Sequence, residues 1–255
     1  MYAVISPAKK LNFETPAPVK KSTQLKFQDE AYELIKNLRK RSPDEISKLM
    51  KLSESLTKLN VDRYKKYEKE FHQENSKQAL FAFAGDTYVG LDAESLDKKN
   101  IDFAQKHLGI LSGLYGLARP LDLIQPYRLE MGTRLAVGEC ENLYQYWGEI
   151  LTKELNKILK KEKYLINLAS NEYFSVIRTE NLKGEIITPI FKEKKGDQYK
   201  VVGISAKRAR GMMARFMIEN QIEDPQALKE FHESGYSFNK TLSTDYEYVF
   251  TRSKK

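Results

Sequence analysis

The sequence predicts an α+β fold, in which helices and strands are mixed without a strict β-α-β alternation. Two observations support this prediction. Apolar residues recur at helical spacing in several long stretches, and short apolar runs bounded by Gly and Pro are typical of strands. Because the composition does not change abruptly anywhere along the 255 residues, we expect a single mixed domain over residues 1–255.

The composition is that of a soluble protein, with 41% hydrophobic and 31% charged residues. No apolar run reaches the ~18 residues that a membrane span needs, and the first ten residues do not have the layout of a secretion signal. We therefore expect a cytoplasmic protein that does not bind membranes. Cys140 is the single cysteine, so no intrachain disulfide can form. The sequence leaves the oligomeric state open.

The N-terminal half begins with a predicted strand over residues 2–5, followed by a loop that contains Lys9. Loops at the carboxyl ends of strands are where α/β proteins place ligands, so Lys9 is a candidate phosphate contact or a solvated loop charge. Residues 29–39 have a helical pattern, and Ser42-Pro43-Asp44-Glu45 is a capping box that starts another helix. Residues 79–83 are expected to form a buried strand, and Asp86 lies in the Gly-bounded turn after it, as a cap or as a functional carboxylate.

The C-terminal half contains the clearest amphipathic helix, over residues 143–159, followed by a strand over 164–168. A short helix opens after that strand, and its first residues are Ser170, Asn171, Glu172 and Tyr173. Residues 185–191 and 199–204 are predicted to form a β-hairpin, and residues 236–250 have a strand-like aromatic alternation.

The stretch 102–135 is the most informative one for function. Its helical pattern stops at Gly113, the segment Gly113-Leu114-Tyr115-Gly116 turns the chain, and residues 118–124 are expected to start a second helix. A helix-hairpin-helix of this kind exposes backbone N–H groups that can bind phosphate, and Arg119, Arg128 and Arg134 follow it. The alternative is an ordinary αα-hairpin that serves only packing.

A second basic element is the predicted helix over residues 205–220. Lys207, Arg208 and Arg215 share one side of this helix, with Arg210 at its edge, and the opposite side is apolar. Lys207 and Arg208 lie near the helix start, where they oppose the helix dipole and indicate an anionic partner. The net charge of +8 also favours polyanions, although a solvated basic face remains the alternative.

Motifs for nucleotide hydrolysis, dinucleotide binding and zinc binding are absent from the sequence. No arrangement of residues requires catalysis, so whether the protein is an enzyme stays open, with a binding protein preferred. We expect no cofactor and no metal, since His, Cys and carboxylate clusters with ligand spacing are missing.

Several long blocks, in the same order, resemble the YaaA family of peroxide stress resistance proteins. The blocks are Ile5–Lys9, Phe83–Leu91, Leu111–Gly116, Arg119–Asp122, Gln125–Gly132, Leu143–Gly148, Ile166–Phe174 and Ala206–Gly211. The resemblance runs nearly end to end and implies a protein that protects against hydrogen peroxide, in a family thought to limit the free iron that drives DNA damage.

The resemblance also implies binding of double-stranded DNA through a positively charged cleft and a helix-hairpin-helix. Matched residue by residue, the hairpin falls on Gly113 and Gly116, and the cleft cations fall on Lys9, Arg119, Arg128, Arg134, Lys207, Arg208 and Arg210. Such binding would be sequence-independent and steeply salt-dependent.

Two function hypotheses remain. The first is a DNA-binding protective protein without catalysis. The second is an enzyme acting on nucleotides or nucleic acid, with Lys9, Asp86, Asn171, Glu172 and Tyr173 around a basic pocket. If Lys9, Asp86 and Glu172 converge in a deep pocket, the enzyme is favoured. If the cations line an open groove as wide as a duplex, the binding protein is favoured.

Overall fold

A computed structural model describes residues 1–253, which are organised around an eight-stranded mixed sheet. In chain order its strands are β1 (Tyr2–Ile5), β3 (Leu108–Ser112), β4 (Gly116–Ala118), β6 (Tyr164–Leu168), β7 (Glu185–Lys195), β8 (Gln198–Lys200), β9 (Ser237–Phe238) and β10 (Glu247–Arg252). Strands β2 (Lys77–Gln78) and β5 (Leu123–Ile124) form a separate antiparallel pair.

The strand order is β4-β3-β1-β6-β7-β10-β9, and β8 pairs with β7. The central strands β3, β1, β6, β7 and β10 are parallel, whereas β4, β8 and β9 are antiparallel to their neighbours. Parallel strands need crossover connections, and most of these contain helices. Strands from both ends of the chain therefore belong to one sheet, and the predicted α+β class is confirmed.

Helices surround this sheet within the described part of the chain. They are α1 (Gln28–Arg39), α2 (Pro43–Met50), α3 (Glu54–Lys66), α4 (Ala79–Ala82), α5 (Asp86–Leu91), α6 (Lys98–His107), α7 (Leu143–Leu159), α8 (Asn171–Phe174) and α9 (Gly203–Glu219). None of them is both long enough and apolar enough to span a lipid bilayer.

Elements with strong local signals form as the sequence predicts. The capping box of α2 is present, with the Ser42 hydroxyl accepting from Glu45 N and the Glu45 carboxylate accepting from Ser42 N. Helix α7 has the predicted bounds, and its Trp147 is fully buried in the core. Strands β1 and β6 also have the predicted bounds, because apolar residues there face neighbours on both sides.

The predicted helix-hairpin-helix is wrong. Helix α6 ends at His107, and residues 108–118 form a β-hairpin in which Ile110 pairs with Ala118 and Ser112 with Gly116. Residues 118–124 are not a second helix either, since they contain the end of β4 and the strand β5. The apolar run 108–111 fits a helix or a strand by pattern alone, and pairing of β3 with β1 decides for the strand.

The turn of this hairpin is buried and its amides are occupied. Leu114 and Tyr115 are 0% exposed, and both of their backbone N–H groups donate to Ser112 Oγ. Gly116 has a left-handed φ of +65°, and an added Cβ would lie 2.8 Å from the Trp147 ring. The hairpin is therefore a packing device, and it cannot act as a phosphate clamp.

Three further segments differ from prediction. Residues 79–82 form the buried helix α4 instead of a strand, and residues 86–91 form the helix α5 instead of a turn. The second hairpin strand ends at Lys200, because helix α9 already begins at Gly203. In each case a neighbouring segment overrides a short, ambiguous local pattern.

Helices α5 and α9 cross at two glycines. An added Cβ on Gly211 would lie 1.8 Å from Thr87 O, and one on Gly90 would lie 2.1 Å from Arg208 O. Glycine is needed at both positions because any side chain would overlap the facing backbone. This close crossing fixes Asp86, at the start of α5, beside the basic first turns of α9.

Candidate ligand-binding site

A cavity of about 960 Å³ opens at the carboxyl ends of β1 and β6. Its walls come from the loop after β1, the start of α5, the segment from Asn167 to Tyr173, the middle of β7 and the first turns of α9. Crevices at the carboxyl ends of parallel strands are the usual ligand sites of such sheets. We call this the carboxyl-end cavity.

Its cations differ in whether a carboxylate already binds them. Lys9 Nζ lies 3.0 Å from Glu130 Oε1, so its charge is partly used within the protein. Lys10, Lys207 and Arg210 also line the cavity, and no carboxylate of residues 1–253 lies within 4.0 Å of their charged nitrogens. These three cations are available to a ligand.

Arg210 is the most informative of the three. Its side chain is half-buried, and it makes no hydrogen bond or ion pair with any residue that the structure describes. Burial lowers the pKa of its guanidinium below the usual range, yet an arginine stays charged at neutral pH. A partly desolvated guanidinium without a partner is costly, and an anion entering the cavity would offset that cost.

Backbone and hydroxyl groups fix the floor between β1 and β6. Ser6 Oγ accepts from Ser170 N at 2.8 Å, and the Ser6 carbonyl accepts from the Tyr88 hydroxyl at 3.2 Å. Asn167 Oδ1 accepts from Ala169 N at 3.1 Å. These bonds join the two strand ends and α5, so the polar groups of the cavity are held in place before a ligand arrives.

Glu172 and Tyr173, at the start of α8, also line the cavity. Gly132 N donates to Glu172 Oε1 at 3.3 Å, which ties this carboxylate to the segment that also contains Glu130. Burial raises the pKa of the Tyr173 hydroxyl well above its ordinary value. Tyr173 is therefore neutral at physiological pH and is able to donate a hydrogen bond.

The structure brings together all five residues of the predicted alternative pocket. Lys9, Asp86, Asn171, Glu172 and Tyr173 all line the carboxyl-end cavity. Arg208 lies at its edge, where Nη2 is 3.8 Å from Asp86 Oδ1. Their chemical roles stay predictions, but their convergence is the geometry that favours a ligand pocket.

The remaining predicted DNA contacts differ in their surroundings, and Arg128 lies near Lys9 because both bind Glu130 Oε1. Arg119 lines a different cavity and binds Asp122, and Arg128 Nη2 is held by Glu130 at 3.0 Å. Arg215 donates to the Leu91 and Asp92 carbonyls and to Glu219, so it secures the end of α5. Arg134 is exposed, with no ion pair among residues 1–253.

The prediction of a phosphate contact in the hairpin turn is wrong for Gly113, Leu114, Tyr115 and Gly116. All four are buried in the β-hairpin turn. An added Cβ on Gly113 would lie 2.3 Å from Leu129 O, so the chain on its outer side is already covered. These residues contribute to the core and not to a ligand surface.

Sequence reasoning missed several groups that shape the site. Ser6, Asn167 and Glu130 were not singled out, because nothing in their local pattern distinguishes them from loop residues. Gly211 did carry a usable signal. A glycine inside an otherwise strong helix is unfavourable by about 1 kcal/mol relative to Ala, which indicates a packing reason for keeping it.

Residues 1–253 contain no group of three or more His, Cys, Asp or Glu side chains placed to hold a metal ion. The cavity instead combines unpaired cations, carboxylates, amides and hydroxyls with the apolar side chains of Pro189, Ile190 and Val201. Such a lining suits an organic anion with both polar and apolar parts.

The fold is thus that of a mixed α+β protein with a cavity at the carboxyl ends of its parallel strands, lined by both cations and carboxylates. The chain belongs to the family described as peroxide stress protein YaaA, whose model matches residues 1–242. This membership supports a role in the response to oxidative stress.

Relatives of this chain are similar over essentially their full length. A UPF0246 protein of Burkholderia cenocepacia is 50% identical over 99% of this chain and 98% of the relative. A UPF0246 protein of Aliivibrio fischeri is 49% identical over 100% of this chain and 99% of its own. A third, from Teredinibacter turnerae, is 48% identical over 100% of both chains.

Proposed function

We propose that this protein acts in the peroxide stress response by binding a nucleotide phosphate in the carboxyl-end cavity, either in a free nucleotide or within a nucleic acid. The observation that carries this proposal is the half-buried, unpartnered guanidinium of Arg210 beside Lys207. The cavity volume of about 960 Å³ lies at the upper end of the range of roughly 300–1,000 Å³ typical of small-molecule sites.

The cations of the cavity determine where the phosphate binds. Arg210 offers a forked set of N–H donors that matches phosphate oxygens, and Lys207 and Lys10 add flexible positive charge. Helix α9 begins in the same wall, and no side chain caps its first N–H groups. Its dipole therefore adds to the positive potential that these side chains supply.

Other groups fit the remainder of a nucleotide. The carboxylates of Asp86 and Glu172 and the amide of Asn171 accept or donate hydrogen bonds to hydroxyl and amino groups. Pro189 and Val201 offer apolar surface for a base. A bare inorganic anion would leave these groups unused.

Binding of double-stranded DNA is part of this proposal, with the contact moved from the hairpin to the mouth of the cavity. Lys10, Lys207 and Arg208 are exposed there and contact phosphates without reading bases. Limitation of iron-dependent DNA damage, which the family resemblance implies, is proposed as a consequence of this binding.

An enzyme acting on nucleotides or nucleic acid is the second candidate. The observation that favours it is the convergence of Lys9, Asp86 and Glu172 in one cavity, with the neutral hydroxyl of Tyr173 beside them. A carboxylate can act as a general base, and a phenol that keeps its proton can orient a substrate by donating a hydrogen bond. Incubation with nucleotides and oligonucleotides, followed by separation of products, distinguishes this candidate from simple binding.

The binding proposal is tested with a labelled duplex, the matching single strand and ATP, each titrated over a salt series. Affinity for at least one probe should fall as salt rises. Arg210→Met should lower that affinity by about tenfold or more, because a hydrogen bond to a charged group contributes about 1.5–3 kcal/mol. Lys207→Ala should lower the affinity and flatten the salt dependence.

Lys153→Ala is the matched control, since Lys153 is an exposed lysine on α7 that pairs with Glu149. It should bind as the wild type does. Binding of ATP alone assigns a free nucleotide, and binding of either oligonucleotide in competition with ATP assigns a nucleic acid. Affinities that are the same in wild type, Arg210→Met and Lys207→Ala would overturn the proposal.

A further inference from the structure

A second cavity, of about 790 Å³, lies at the opposite end of the same parallel strands. Tyr2 at the start of β1 lines it, together with the end of α6, the second half of α7 and the loop around Lys26. We call it the amino-end cavity. It accounts for Arg119, a residue that the sequence singled out and that the carboxyl-end cavity does not use.

Part of its lining is apolar. Tyr2, Phe27, Leu117 and Ile158 line this cavity, and the first three are less than 10% exposed. Phe27 packs edge-on against Trp147 with ring centroids 6.0 Å apart, so its ring is held by the core. An apolar body entering the cavity would gain hydrophobic contact there without rearranging the protein.

Most of its charges neutralise one another. Glu154 accepts from Lys26 at 2.6 Å and lies 3.6 Å from Lys157, and the buried Asp122 binds Arg119 at 2.8 Å. Because these carboxylates already have cations, the cavity offers little attraction to a cationic ligand.

Positive charge is left over in the same lining. Lys106 and Lys161 line the cavity, and neither lies within 4.0 Å of a carboxylate in the described chain. Arg119 uses Nε and Nη2 to bind Asp122 and Gln24 O, while its Nη1 donates to no residue of 1–253. These donors lie in the same lining as the apolar side chains.

We propose that the amino-end cavity is a second ligand site, which binds a small organic anion with an apolar body. The apolar side chains receive the body of the ligand, and Lys106, Lys161 and the free Nη1 of Arg119 receive its anionic group. This site is independent of the nucleotide site, since the two cavities share no lining residue.

The test uses 1-anilinonaphthalene-8-sulfonate, a fluorescent aromatic anion, and its neutral analogue N-phenyl-1-naphthylamine with the full chain. Two changes in the lining of the amino-end cavity identify the part of the anion binding that belongs to this cavity. Ile158→Trp should weaken that binding by about tenfold, because the larger ring occupies the space of the ligand. The charge reversal Lys106→Glu with Lys161→Glu should weaken binding of the anion by about threefold to tenfold and leave binding of the neutral analogue unchanged.

Both lysines of the charge-reversal variant lie outside the buried core, so this variant tests the proposal even if Ile158→Trp does not fold. Lys153→Ala is the control that should bind the anion as the wild type does. Equal binding of the anion by the wild type and the charge-reversal variant would overturn the proposal. A neutral analogue that binds as tightly as the anion would overturn it as well.

Discussion

The two cavities lie at opposite ends of β1, with Tyr2 in the amino-end cavity and Ser6 in the carboxyl-end cavity. Both are lined by Lys and Arg side chains, yet they differ in how these charges are used. In the amino-end cavity Lys26, Arg119 and Lys157 have carboxylate partners within 4.0 Å, and Lys106 and Lys161 have none among residues 1–253. In the carboxyl-end cavity Lys9 has such a partner, whereas Lys10, Lys207 and Arg210 have none among residues 1–253.

This difference shows that the number of cations near a site does not by itself predict the affinity of that site for anions. A cation that already binds a buried carboxylate stabilises the fold, and removing it leaves that carboxylate uncompensated. An unpaired cation contributes little to stability and remains available to a ligand. Substituting a paired cation should therefore affect mainly stability, and substituting an unpaired cation should affect mainly binding.

The largest loss of stability is expected from a side chain added at the crossing of α5 and α9. Of the two cavities, the carboxyl-end cavity is the one that these helices line. Gly211→Ala places a methyl group against the Thr87 carbonyl, so we expect a loss of about 3 kcal/mol or more in unfolding free energy. Gly203→Ala on the same helix meets no atom within 4 Å and should be neutral or stabilising by up to about 1 kcal/mol. Urea denaturation measures both, and equal midpoints for the two variants would contradict a tight crossing.

The second prediction compares the loss of stability on removing a paired cation with the loss on removing an unpaired one. Arg119→Met should lower the unfolding free energy by about 2–3 kcal/mol, because Asp122 is 0% exposed and loses its guanidinium partner. This value is at the low end of the range for buried pairs, since the Arg119 side chain is 45% exposed. Lys207→Met should change stability by less than about 0.5 kcal/mol.

Urea denaturation of Arg119→Met and Lys207→Met makes this comparison directly. The double variant Arg119→Met with Asp122→Asn should recover part of the loss, because the uncompensated carboxylate is gone. If Arg119→Met unfolds at the same urea concentration as Lys207→Met, the contrast between paired and unpaired cations fails.

The smallest change in binding is expected for Lys9, the paired lysine of the carboxyl-end cavity. Lys9 is held by Glu130 at 3.0 Å, so Lys9→Ala should weaken nucleotide or oligonucleotide binding by only about twofold to threefold. Glu130→Gln keeps the shape of the side chain and frees Lys9 and Arg128, so it should strengthen binding by a similar factor. Titration of the same probe compares these variants, and weaker binding by Glu130→Gln would show that Glu130 orients the cations instead of neutralising them.

Part of the candidate site was predictable from the sequence. Asn171, Glu172 and Tyr173 follow the apolar run of β6, and Lys9 follows that of β1, so their position at strand ends was readable. Parallel pairing of β1 with β6 then brings both loops to the same edge of the sheet. The basic face of α9 was also predicted, but its distance from β1 was not, because that distance depends on the crossing with α5.

The hairpin formed by β3 and β4 is a segment whose structure was not predictable from the sequence. The segment Gly113-Leu114-Tyr115-Gly116 is compatible with a turn between helices and with a turn between strands. Its glycines alone do not distinguish these two structures. The choice comes from β1, which pairs with β3, and from Trp147, which covers Gly116. The sequence therefore predicted where the chain turns but not whether the turn faces a ligand.

The sequence alone was enough to predict the mixed α+β class, the helices α1, α2, α7 and α9, and the strands β1 and β6. Each of these elements depends on the spacing of apolar residues within a short stretch, and α2 and α7 also have a side-chain cap. Tertiary structure alone decided which cations are free and which glycines are buried. Ion pairs such as Lys9–Glu130 and Lys26–Glu154 join residues more than a hundred positions apart. Only the folded chain determines such distances, and they decide which charges a ligand meets.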